Sequence, residues 1–400
     1  MGKLEKIIER FKQLHNTDPL IVRSPGRINL IGEHTDYNSG PVLPAAIDRS
    51  IYLAISKRED LVINVYAADF SEHHSTSIDI LEPAWKLWPN YILGVINEFK
   101  LAGKLDKGVN IVFGGDIPLA AGVSSSAAIN CAATYALNHI FECGYSKLEM
   151  AKIAQQAEHS FVGVQCGLMD QFASLFGKEG NFIKLDCNTT EYQYIPFNNN
   201  NVQILLFDSG VKHFLVSSAY NERRQECKTG LDIVRQHVPN INSLAEVTEE
   251  MLELYVKPIS AIVYNRCLYV VQEISRLNKA CKDLENNNFD ALGHRLYETH
   301  YGLKNLYEVS CKECDFLVDI TRSISGVLGS RMMGAGFGGC TLNLVYADAA
   351  DSVVNFVKAE YKREFGKDLK VYTTSIAAGT SIVQHGAPEH TLDKKQLTAD

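Results

Sequence analysis

A strand, a turn of glycine and serine, and a long alanine-rich helix are predicted to follow one another between residues 109 and 141. The apolar run at 109–113 predicts the strand, and the helix begins near Ser124. A helix N-terminus offers unpaired backbone N–H groups and the positive end of the helix dipole, which together favour a phosphate. One serine would cap an ordinary buried helix, whereas three serines in a row follow Gly122 and Val123 here. The segment therefore predicts a phosphate site at a strand-to-helix turn.

Two well-known nucleotide-binding patterns do not fit the chain. The turn contains no G-x-x-x-x-G-K-[ST] pattern, which excludes a P-loop ATPase. Residues 334–339 do match G-x-G-x-x-G, but a strand-like segment from Thr341 follows where a dinucleotide-binding fold requires a helix. These glycines form either a structural tight turn or a loop that approaches a phosphate.

Strand and helix patterns interleave along the chain without the regular alternation of a parallel doubly wound sheet. Strand-like alternation covers much of 20–68, helical spacing dominates 219–330, and residues 372–376 are predicted to form the last strand. This arrangement favours the α+β class. Because 400 residues are too many for one ordinary core, we expect two domains, residues 1–205 and 206–400.

The formal net charge of -8 argues against nucleic acid as a partner. No apolar stretch is long enough to span a bilayer, and the charged N-terminus is unlike a secretory signal. Ten cysteines in 400 residues are too sparse for a disulfide scaffold, and Cys311 and Cys314 form a lone C-x-x-C without further zinc ligands. We interpret that pair as incidental helix residues and expect a cytoplasmic monomer with no membrane partner.

Residues 25–37 form the polar run that most strongly suggests a small-molecule ligand. Alternating apolar residues predict a strand that opens into a loop containing Arg27, Glu33, His34, Asp36 and Tyr37. Carboxylates accept hydrogen bonds from several hydroxyls, and glycines let the backbone approach a ligand. The alternative is a solvated turn, but the density of hydrogen-bonding groups favours a polyhydroxylated ligand.

The run 25–37 resembles the signature of the galactokinase family, within the superfamily named for galactokinase, homoserine, mevalonate and phosphomevalonate kinases. Residues 118–127 resemble the second motif of that superfamily, with Val123 in place of the usual leucine, and residues 329–341 resemble the third. The resemblance extends from Arg23 to about Ile382. It implies an N-terminal domain like domain 2 of ribosomal protein S5, a ferredoxin-like C-terminal domain, and an active site in the cleft between them.

The resemblance also implies roles for the residues of the reaction. Asp170 would accept the proton of the sugar hydroxyl, with Arg27 as the cation beside it, and Glu158 and Ser126 would bind Mg²⁺. A carboxylate at a helix N-terminus beside an arginine is stabilised as the anion, and is therefore a weak base. Phosphoryl transfer tolerates a weak base, because orientation and charge stabilisation contribute most of the catalysis.

Two sets of ligand contacts are implied in the same way. The residues expected to hold the sugar are Glu33, His34, Thr35, Asp36, Gly167, Asp170 and Tyr220. The residues expected to hold ATP are Trp88, Ala120, Ala121, Gly122, Val123, Ser124, Ser125, Ser126, Gly334 and Gly336. Arg223 and Arg224, close to Tyr220 in the sequence, are interpreted as solvated.

The implied reaction is transfer of the γ-phosphoryl group of Mg-ATP to the C1 hydroxyl of α-D-galactose, giving galactose 1-phosphate and ADP. The first alternative is a kinase of the same family that acts on another sugar, such as N-acetylgalactosamine, arabinose or galacturonate. The second is a non-catalytic sensor that binds ATP and galactose. Intact Arg27, Glu158 and Asp170 speak against the sensor, which has no need of them.

Overall fold

The structure is a computed structural model that describes residues 2–118, 121–197, 199–211 and 216–383; Ala120 and the polar tail after about Gly386 lie outside this part of the chain. The helices are α1 Lys3–His15, α2 Leu87–Leu101, α3 Ser125–Ile140, α4 Lys147–Ala157, α5 Met169–Phe176, α6 Val216–His237, α7 Glu249–Met251, α8 Ala261–Glu285, α9 Phe289–Asn305, α10 Lys312–Thr321 and α11 Ala350–Phe365. The strands are β1 Leu20–Asn29, β2 Pro41–Val42, β3 Pro44–Lys57, β4 Val62–Ala67, β5 Glu72–Ser77, β6 Val109–Gly115, β7 Asn181–Asp186, β8 Tyr192–Pro196, β9 Val202–Asp208, β10 Val327–Met332, β11 Cys340–Tyr346, β12 Lys370–Thr374 and β13 Ser381–Ile382. None of the helices in these residues is long and apolar enough to cross a membrane.

The first sheet has six strands in the order β13-β1-β3-β6-β4-β5. Strands β4 and β6 are parallel, and the other neighbouring pairs are antiparallel. Successive side chains of a strand point to opposite faces. On one face, Ile21 and Ala54 pack against Ile7 and Phe11 of α1. On the other face, Val22 belongs to a larger apolar cluster that includes residues of α2 and α3, so helices cover both sides of the sheet.

The second sheet has four antiparallel strands in the order β10-β11-β9-β12. Along the chain, α6 to α10 separate β9 from β10, and α11 separates β11 from β12. This is the βαββαβ connectivity of a ferredoxin-like domain. It agrees with the expectation for the C-terminal half, and the two separate sheets with their own helices confirm the α+β class.

Strand β9, Val202–Asp208, contains the domain boundary predicted between residues 205 and 206, and the whole strand lies in the second sheet. A single apolar cluster joins the two sheets, since it contains Ile28 of β1 together with Leu206 and Leu342 of β9 and β11. The division of the chain into two domains at residue 205 stays a prediction.

The described chain ends in the first sheet. The segment predicted as the last strand, residues 372–376, corresponds to β12 at Lys370–Thr374, but it is not the last strand. Strand β13 follows it and pairs with Val22 and Arg23 of β1. A strand of two residues is too short to show an alternating pattern, which is why the sequence did not indicate it.

Four connections between these elements carry the predicted motifs. They are the loop after β1, the turn from β6 into α3, the segment from α4 to α5, and the turn between β10 and β11. A small third sheet contains β2, β7 and β8. Its strand β2 begins at Pro41, just after the loop that follows β1. The fold therefore brings segments from both halves of the chain to one cleft.

Candidate active site

A two-pronged ion pair between Arg27 and Asp170 forms the centre of the site. Arg27 Nε lies 2.7 Å from Asp170 Oδ1, and Arg27 Nη2 lies 3.0 Å from Asp170 Oδ2. The hydroxyl of Ser124 also donates to Asp170 Oδ2. Arg27 is nearly buried, whereas 26% of the Asp170 side chain is exposed. Such a bidentate pair fixes the carboxylate in one orientation and leaves part of it open to a ligand.

Strand β1 places Arg27 directly beside the phosphate turn. The backbone N–H of Arg27 donates to the carbonyl of Val123 at 3.1 Å, and its Nη1 donates to the carbonyl of Gly122 at 2.5 Å. Burial opposes the charge of the guanidinium, but Asp170 and Glu33 outweigh burial and raise the pKa of Arg27. Arg27 is therefore a fixed cation between the turn and the carboxylate.

The predicted phosphate turn leads into α3 as expected. Ser124 occupies the position before the first helical residue, with a left-handed φ of 58°, but its side chain does not cap the helix. Its hydroxyl donates to Asp170 instead. Ser125 and Ser126 begin the helix and remain partly exposed. The simple capping interpretation is therefore wrong for Ser124, and the first N–H groups of α3 are left for another partner.

The third motif packs directly on this turn. A Cβ placed on Gly334 would lie 3.4 Å from the carbonyl oxygen of Gly122, and one on Gly339 would lie 3.7 Å from the backbone of Ala121. The left-handed Gly336 (φ +89°) turns against Val309, where a Cβ would overlap the Val309 carbonyl. Two glycine-rich segments that are distant in the sequence thus meet backbone to backbone.

Glu158 lies at the C-terminal end of α4 and is buried. One carboxylate oxygen, Oε2, accepts from the thiol of Cys166 at 3.2 Å, and the hydroxyl of Ser126 is also within hydrogen-bonding reach of the carboxylate. The other oxygen, Oε1, is buried without a partner among the described residues. Burial raises the pKa of Glu158 to about 7. A buried carboxylate oxygen with no donor is suited to a cation.

No group of three or more histidine, cysteine, aspartate and glutamate side chains that could hold a metal is found in the described part of the chain. Mg²⁺ does not need such a group, since it commonly binds one or two protein ligands together with substrate phosphates and water. The unpartnered oxygen of Glu158 and the nearby hydroxyl of Ser126 fit a site of that kind.

Some residues of the polar loop after β1 hold the fold together, and others face the cleft. Glu33 is buried, and its Oε1 accepts from Arg331 Nη1 at 3.0 Å and from the N–H of Gly334 at 2.8 Å. Burial alone would raise the pKa of Glu33, but Arg331 and Arg27 outweigh it and lower the pKa. The hydroxyl of Thr35 donates to the carbonyls of Gly32 and Pro41, so it shapes the loop.

His34 lies in an aromatic group with Tyr37, Tyr220 and Tyr307. Its ring is 5.7 Å from Tyr220 and 4.8 Å from Tyr307, and its Nδ1 is 2.7 Å from the hydroxyl of Tyr37. Burial lowers the pKa of His34 to about 4, so the ring is neutral near pH 7. Its Nε2 is buried without a well-formed hydrogen bond within the described residues, although the backbone of Ala335 approaches it. A neutral imidazole nitrogen can donate a hydrogen bond to a hydroxyl or accept one from it, depending on the tautomer.

Asp36 and Gly167 are in direct contact. A Cβ on Gly167 would overlap the Asp36 carboxylate, so only glycine allows this approach. Burial and the charge of Asp170 raise the pKa of Asp36 to about 7. Both residues line a cavity of about 650 Å³ that also contains Tyr37 and Cys166. A larger groove of about 740 Å³ between α8 and α9 contains none of the predicted site residues that the structure describes.

Trp88 lies at the start of α2, half-buried against Phe113 of β6, with the ring centres 5.8 Å apart. Its indole N–H donates to Glu72 Oε2 at 2.6 Å. Its described contacts place it beside the strand that leads into the phosphate turn, and none of them reaches the serines of that turn. A role for Trp88 at the nucleotide base stays a prediction.

Sequence reasoning missed the burial of Arg331 and Arg223. Arg331 is fully buried on β10 and pairs with Glu33. Arg223 was expected to be solvated, but it is buried, pairs with Glu226 at 3.1 Å and donates to the carbonyl of Tyr307 at 2.7 Å. Arg224 remains partly exposed and donates to the carbonyl of Gln165. For Arg331 a signal existed, because a charge inside an otherwise apolar strand needs a buried partner.

Three family models match successive parts of the chain. Residues 9–57 match the galactokinase galactose-binding signature, residues 90–178 match the N-terminal domain of GHMP kinases, and residues 280–363 match the C-terminal domain of GHMP kinases. These ranges contain the loop after β1, the phosphate turn with Glu158 and Asp170, and the third motif.

Curated relatives and solved structures are similar over nearly the whole chain. The galactokinase of Thermotoga petrophila is 41% identical over 364 residues, which are 90% of this chain and 99% of the relative. The galactokinase of Clostridium beijerinckii is 41% identical over 362 residues, 89% of this chain and 93% of the relative. The crystal structure of Lactococcus lactis galactokinase complexed with galactose superposes with a TM-score of 0.91 at 33% identity, covering 96% of this chain and 100% of that one. Methanococcus jannaschii mevalonate kinase, at 17% identity and a TM-score of 0.62, shares the fold over 90% of this chain and 99% of that one.

Proposed function

The chain belongs to the galactokinase family of the GHMP kinases, and we propose that its cleft transfers the γ-phosphoryl group of ATP to the C1 hydroxyl of α-D-galactose. The observation that carries the proposal is the bidentate Arg27–Asp170 pair beside the first turn of α3. This arrangement puts a fixed carboxylate, a fixed cation and a phosphate-binding helix end within one site. These are the parts that phosphoryl transfer to a hydroxyl requires.

Asp170 accepts the proton of the sugar hydroxyl in this proposal. Its carboxylate already receives hydrogen bonds from Arg27 and Ser124, which fix its direction. Arg27 stands between Asp170 and the phosphate turn, so it can neutralise charge on the phosphoryl group as that group moves. Positioning and charge stabilisation, more than basicity, supply the rate enhancement.

The phosphates of ATP are assigned to the start of α3 and the glycine loop that packs on it. The assigned residues are Ala120, Ala121, Gly122, Val123, Ser124, Ser125, Ser126, Gly334 and Gly336, with Trp88 near the base. The free N–H groups of the first helical turn and the helix dipole both favour a phosphate there. The backbones of Gly122 and Gly334 lie close together, and neither residue has a side chain to oppose a phosphate.

Glu158 and Ser126 are the residues that would hold Mg²⁺. When bound, this ion would supply positive charge that neutralises the phosphates of ATP. The support from the chain itself is the buried, unpartnered Oε1 of Glu158. The Cys166 thiol donates to the other carboxylate oxygen, Oε2, so Oε1 is the oxygen that has no partner among the described residues.

The sugar is assigned to the space bounded by His34, Asp36, Gly167, Asp170 and Tyr220. Asp36 and Asp170 supply acceptors for sugar hydroxyls, and the buried imidazole of His34 supplies a neutral partner. Glu33 and Thr35 complete the assigned set. Their described hydrogen bonds favour a supporting role, in which Glu33 ties the loop to the third motif and Thr35 holds its turn.

A cytoplasmic location and a monomeric state belong to the same proposal. All ten cysteines are free thiols, which fits the reducing conditions of the cytoplasm. The substrates are small molecules, so a single chain that contains the complete cleft can act as a monomer.

The test is ADP production with Mg-ATP across a sugar panel, measured by a coupled assay. The panel contains galactose, 2-deoxygalactose, N-acetylgalactosamine, glucose, arabinose and galacturonate. We expect kcat/KM for galactose to exceed that of every other natural sugar by about tenfold or more. A preference for another sugar would keep the mechanism and change the substrate. Binding of ATP and galactose without turnover would overturn the proposal in favour of a non-catalytic sensor.

A further inference from the structure

The C-x-x-C pair is placed at a reactive position of the fold. Cys311 is the residue immediately before α10, and Cys314 is the third residue of that helix. A side chain before a helix and one in its first turn lie on the same side of the helix end, as in a capping box. The two thiols are accordingly close enough for each to act on the pKa of the other. The interpretation of the pair as incidental helix residues stays untested, and this placement supports an alternative to it.

The two thiols differ in exposure and in electrostatic surroundings. Cys311 is partly exposed, whereas Cys314 is buried. The hydrogen bond from Cys314 and the backbone N–H groups at the start of α10 lower the pKa of Cys311. The same hydrogen bond and burial raise the pKa of Cys314. An accessible thiol that ionises readily beside a buried thiol that does not is the arrangement found in dithiols that exchange disulfides.

The pair adjoins the glycine loop of the third motif on two sides. Val309, two residues before Cys311, accepts from the N–H of Phe337 at 2.6 Å. Cys314 contacts the side chain of Ser209, whose hydroxyl donates to the carbonyl of Gly339 at 2.7 Å. A covalent change at the pair would therefore alter the position of the loop that packs on the phosphate turn.

We propose that Cys311 and Cys314 form a reversible dithiol–disulfide site that reacts with small disulfides of the glutathione class. The Cys311 thiolate attacks one sulfur of the disulfide, which breaks its S–S bond, forms a mixed disulfide and releases one small thiolate. Cys314 then loses its proton and attacks the sulfur of Cys311, which releases the second small thiol and leaves an internal disulfide. The dithiol is oxidised and the small disulfide is reduced by two electrons, with two protons leaving the protein thiols.

The first test needs no variant and no kinase activity. The reduced full-length protein is exposed briefly to iodoacetamide, and the extent of alkylation at each cysteine is measured by peptide mass spectrometry. The matched comparison is Cys143, which is also partly exposed but whose pKa is raised by burial. We expect Cys311 to be alkylated several-fold faster than Cys143. Equal or slower labelling of Cys311 would overturn its role as the attacking thiol.

The second test uses glutathione redox buffers and the intact protein mass. The wild type is expected to form a disulfide between residues 311 and 314, whereas Cys314→Ser should retain one glutathione at Cys311. Cys143→Ser, as the control, should behave as the wild type. Free thiols at both positions in excess glutathione disulfide, with the protein folded by circular dichroism, would overturn the proposal.

The same oxidised sample tests the connection to the glycine loop. We expect the KM for ATP to rise several-fold in the disulfide form and to return to its reduced value after treatment with dithiothreitol. An unchanged KM in a sample whose mass shows the complete disulfide would overturn that connection. Because the disulfide is detected by mass, this result is distinct from any failure of the proposed kinase activity.

Discussion

Arg331 Nη1 lies 3.0 Å from Glu33 Oε1, and solvent reaches almost none of either side chain. Arg331 is on β10 of the second sheet, and Glu33 is in the polar loop that follows β1 of the first. The guanidinium also donates to the carbonyls of Asn29 and Leu30, at the start of that loop. This pair therefore joins the polar loop after β1 to the C-terminal half of the chain.

Arg331→Met should lower the free energy of unfolding by about 3–5 kcal/mol, because it leaves the charge of Glu33 buried without its partner. Urea unfolding followed by circular dichroism measures the change. The double variant Glu33→Gln/Arg331→Met removes both charges and should recover part of the loss. A loss below about 1 kcal/mol in the single variant would show that Gly334 and Arg27 alone compensate Glu33.

Asp36 should make the unliganded protein less stable as the pH rises. Its pKa is about 7 in the folded state, above the ordinary value of 3.8, so the folded protein keeps a proton that the unfolded chain releases. The stabilising contribution is complete below the ordinary pKa and is lost as the pH rises through the folded one. Asp36→Asn imitates the protonated acid and should remove this dependence.

The measurement is the thermal midpoint of both proteins without Mg²⁺ or sugar, at about pH 5 and about pH 8. We expect the midpoint of Asp36→Asn to exceed that of the wild type by a larger margin at the higher pH than at the lower pH. Comparison with the wild type at each pH removes the contributions of His34 and Glu158, which titrate in both proteins. A variant that is equally destabilised at both values would contradict the raised pKa.

Gly167→Ala should raise the KM for galactose strongly, because the added methyl group would overlap the Asp36 carboxylate. The substitution tests this steric overlap and not backbone strain, since Gly167 does not have a positive φ. Gly163→Asn is the control in the same connection: its φ is +80°, which asparagine tolerates, and a Cβ there meets nothing within 4 Å. Steady-state kinetics on both variants should show the defect only in Gly167→Ala. Equal galactose KM values would remove Gly167 from the sugar site.

Gly336→Ala should weaken ATP binding by forcing the glycine loop away from Val309, whose carbonyl a Cβ would overlap. Gly366→Ala is the matched control, because Gly366 also has a positive φ, +66°, but open space around it at the end of α11. Both variants carry the cost of backbone strain, and only the first carries the clash. Calorimetric titration with ATP should separate them. Equal affinities would contradict a role for this loop in the nucleotide site.

Much of the site could be predicted because its chemistry lies in short continuous runs. The strand and serine turn before α3 showed their own periodicity, and Asp170 follows Glu158 closely in the sequence. The Arg331–Glu33 pair could not be predicted, since 298 positions separate the two residues and only the packing of β10 against the loop brings them together. Arg223 was wrongly expected to be solvated for a related reason. A charged helix residue is usually solvated, but here Glu226 and a backbone carbonyl satisfy the buried guanidinium.

The outcome at Ser124 shows the same dependence on tertiary contacts. The sequence offered two interpretations, a helix cap or a phosphate-site residue, and local pattern could not choose between them. The structure directs the hydroxyl to Asp170, a contact that depends on how α5 meets α3. Tertiary contacts thus excluded the helix cap, and a role for Ser124 at a phosphate stays a prediction.

Asp170→Asn and Arg27→Ala should affect turnover in different ways. Asp170→Asn removes the proton acceptor while keeping the size of the side chain, so kcat should fall by a factor on the order of 10² to 10⁴. Arg27→Ala removes the cation beside the transferred group, so kcat should fall more than KM rises, as expected for charge that develops in the transition state. ATP affinity, measured by calorimetry, should change little in Asp170→Asn, because the amide oxygen of asparagine can still accept the hydrogen bond from Ser124 of the phosphate turn. Ser160→Ala, a change at an exposed hydroxyl on the same connection between α4 and α5, is the control and should leave both quantities unaltered. A near-normal kcat in a folded Asp170→Asn protein would remove Asp170 from the chemistry and leave Arg27 and the helix end as the source of catalysis.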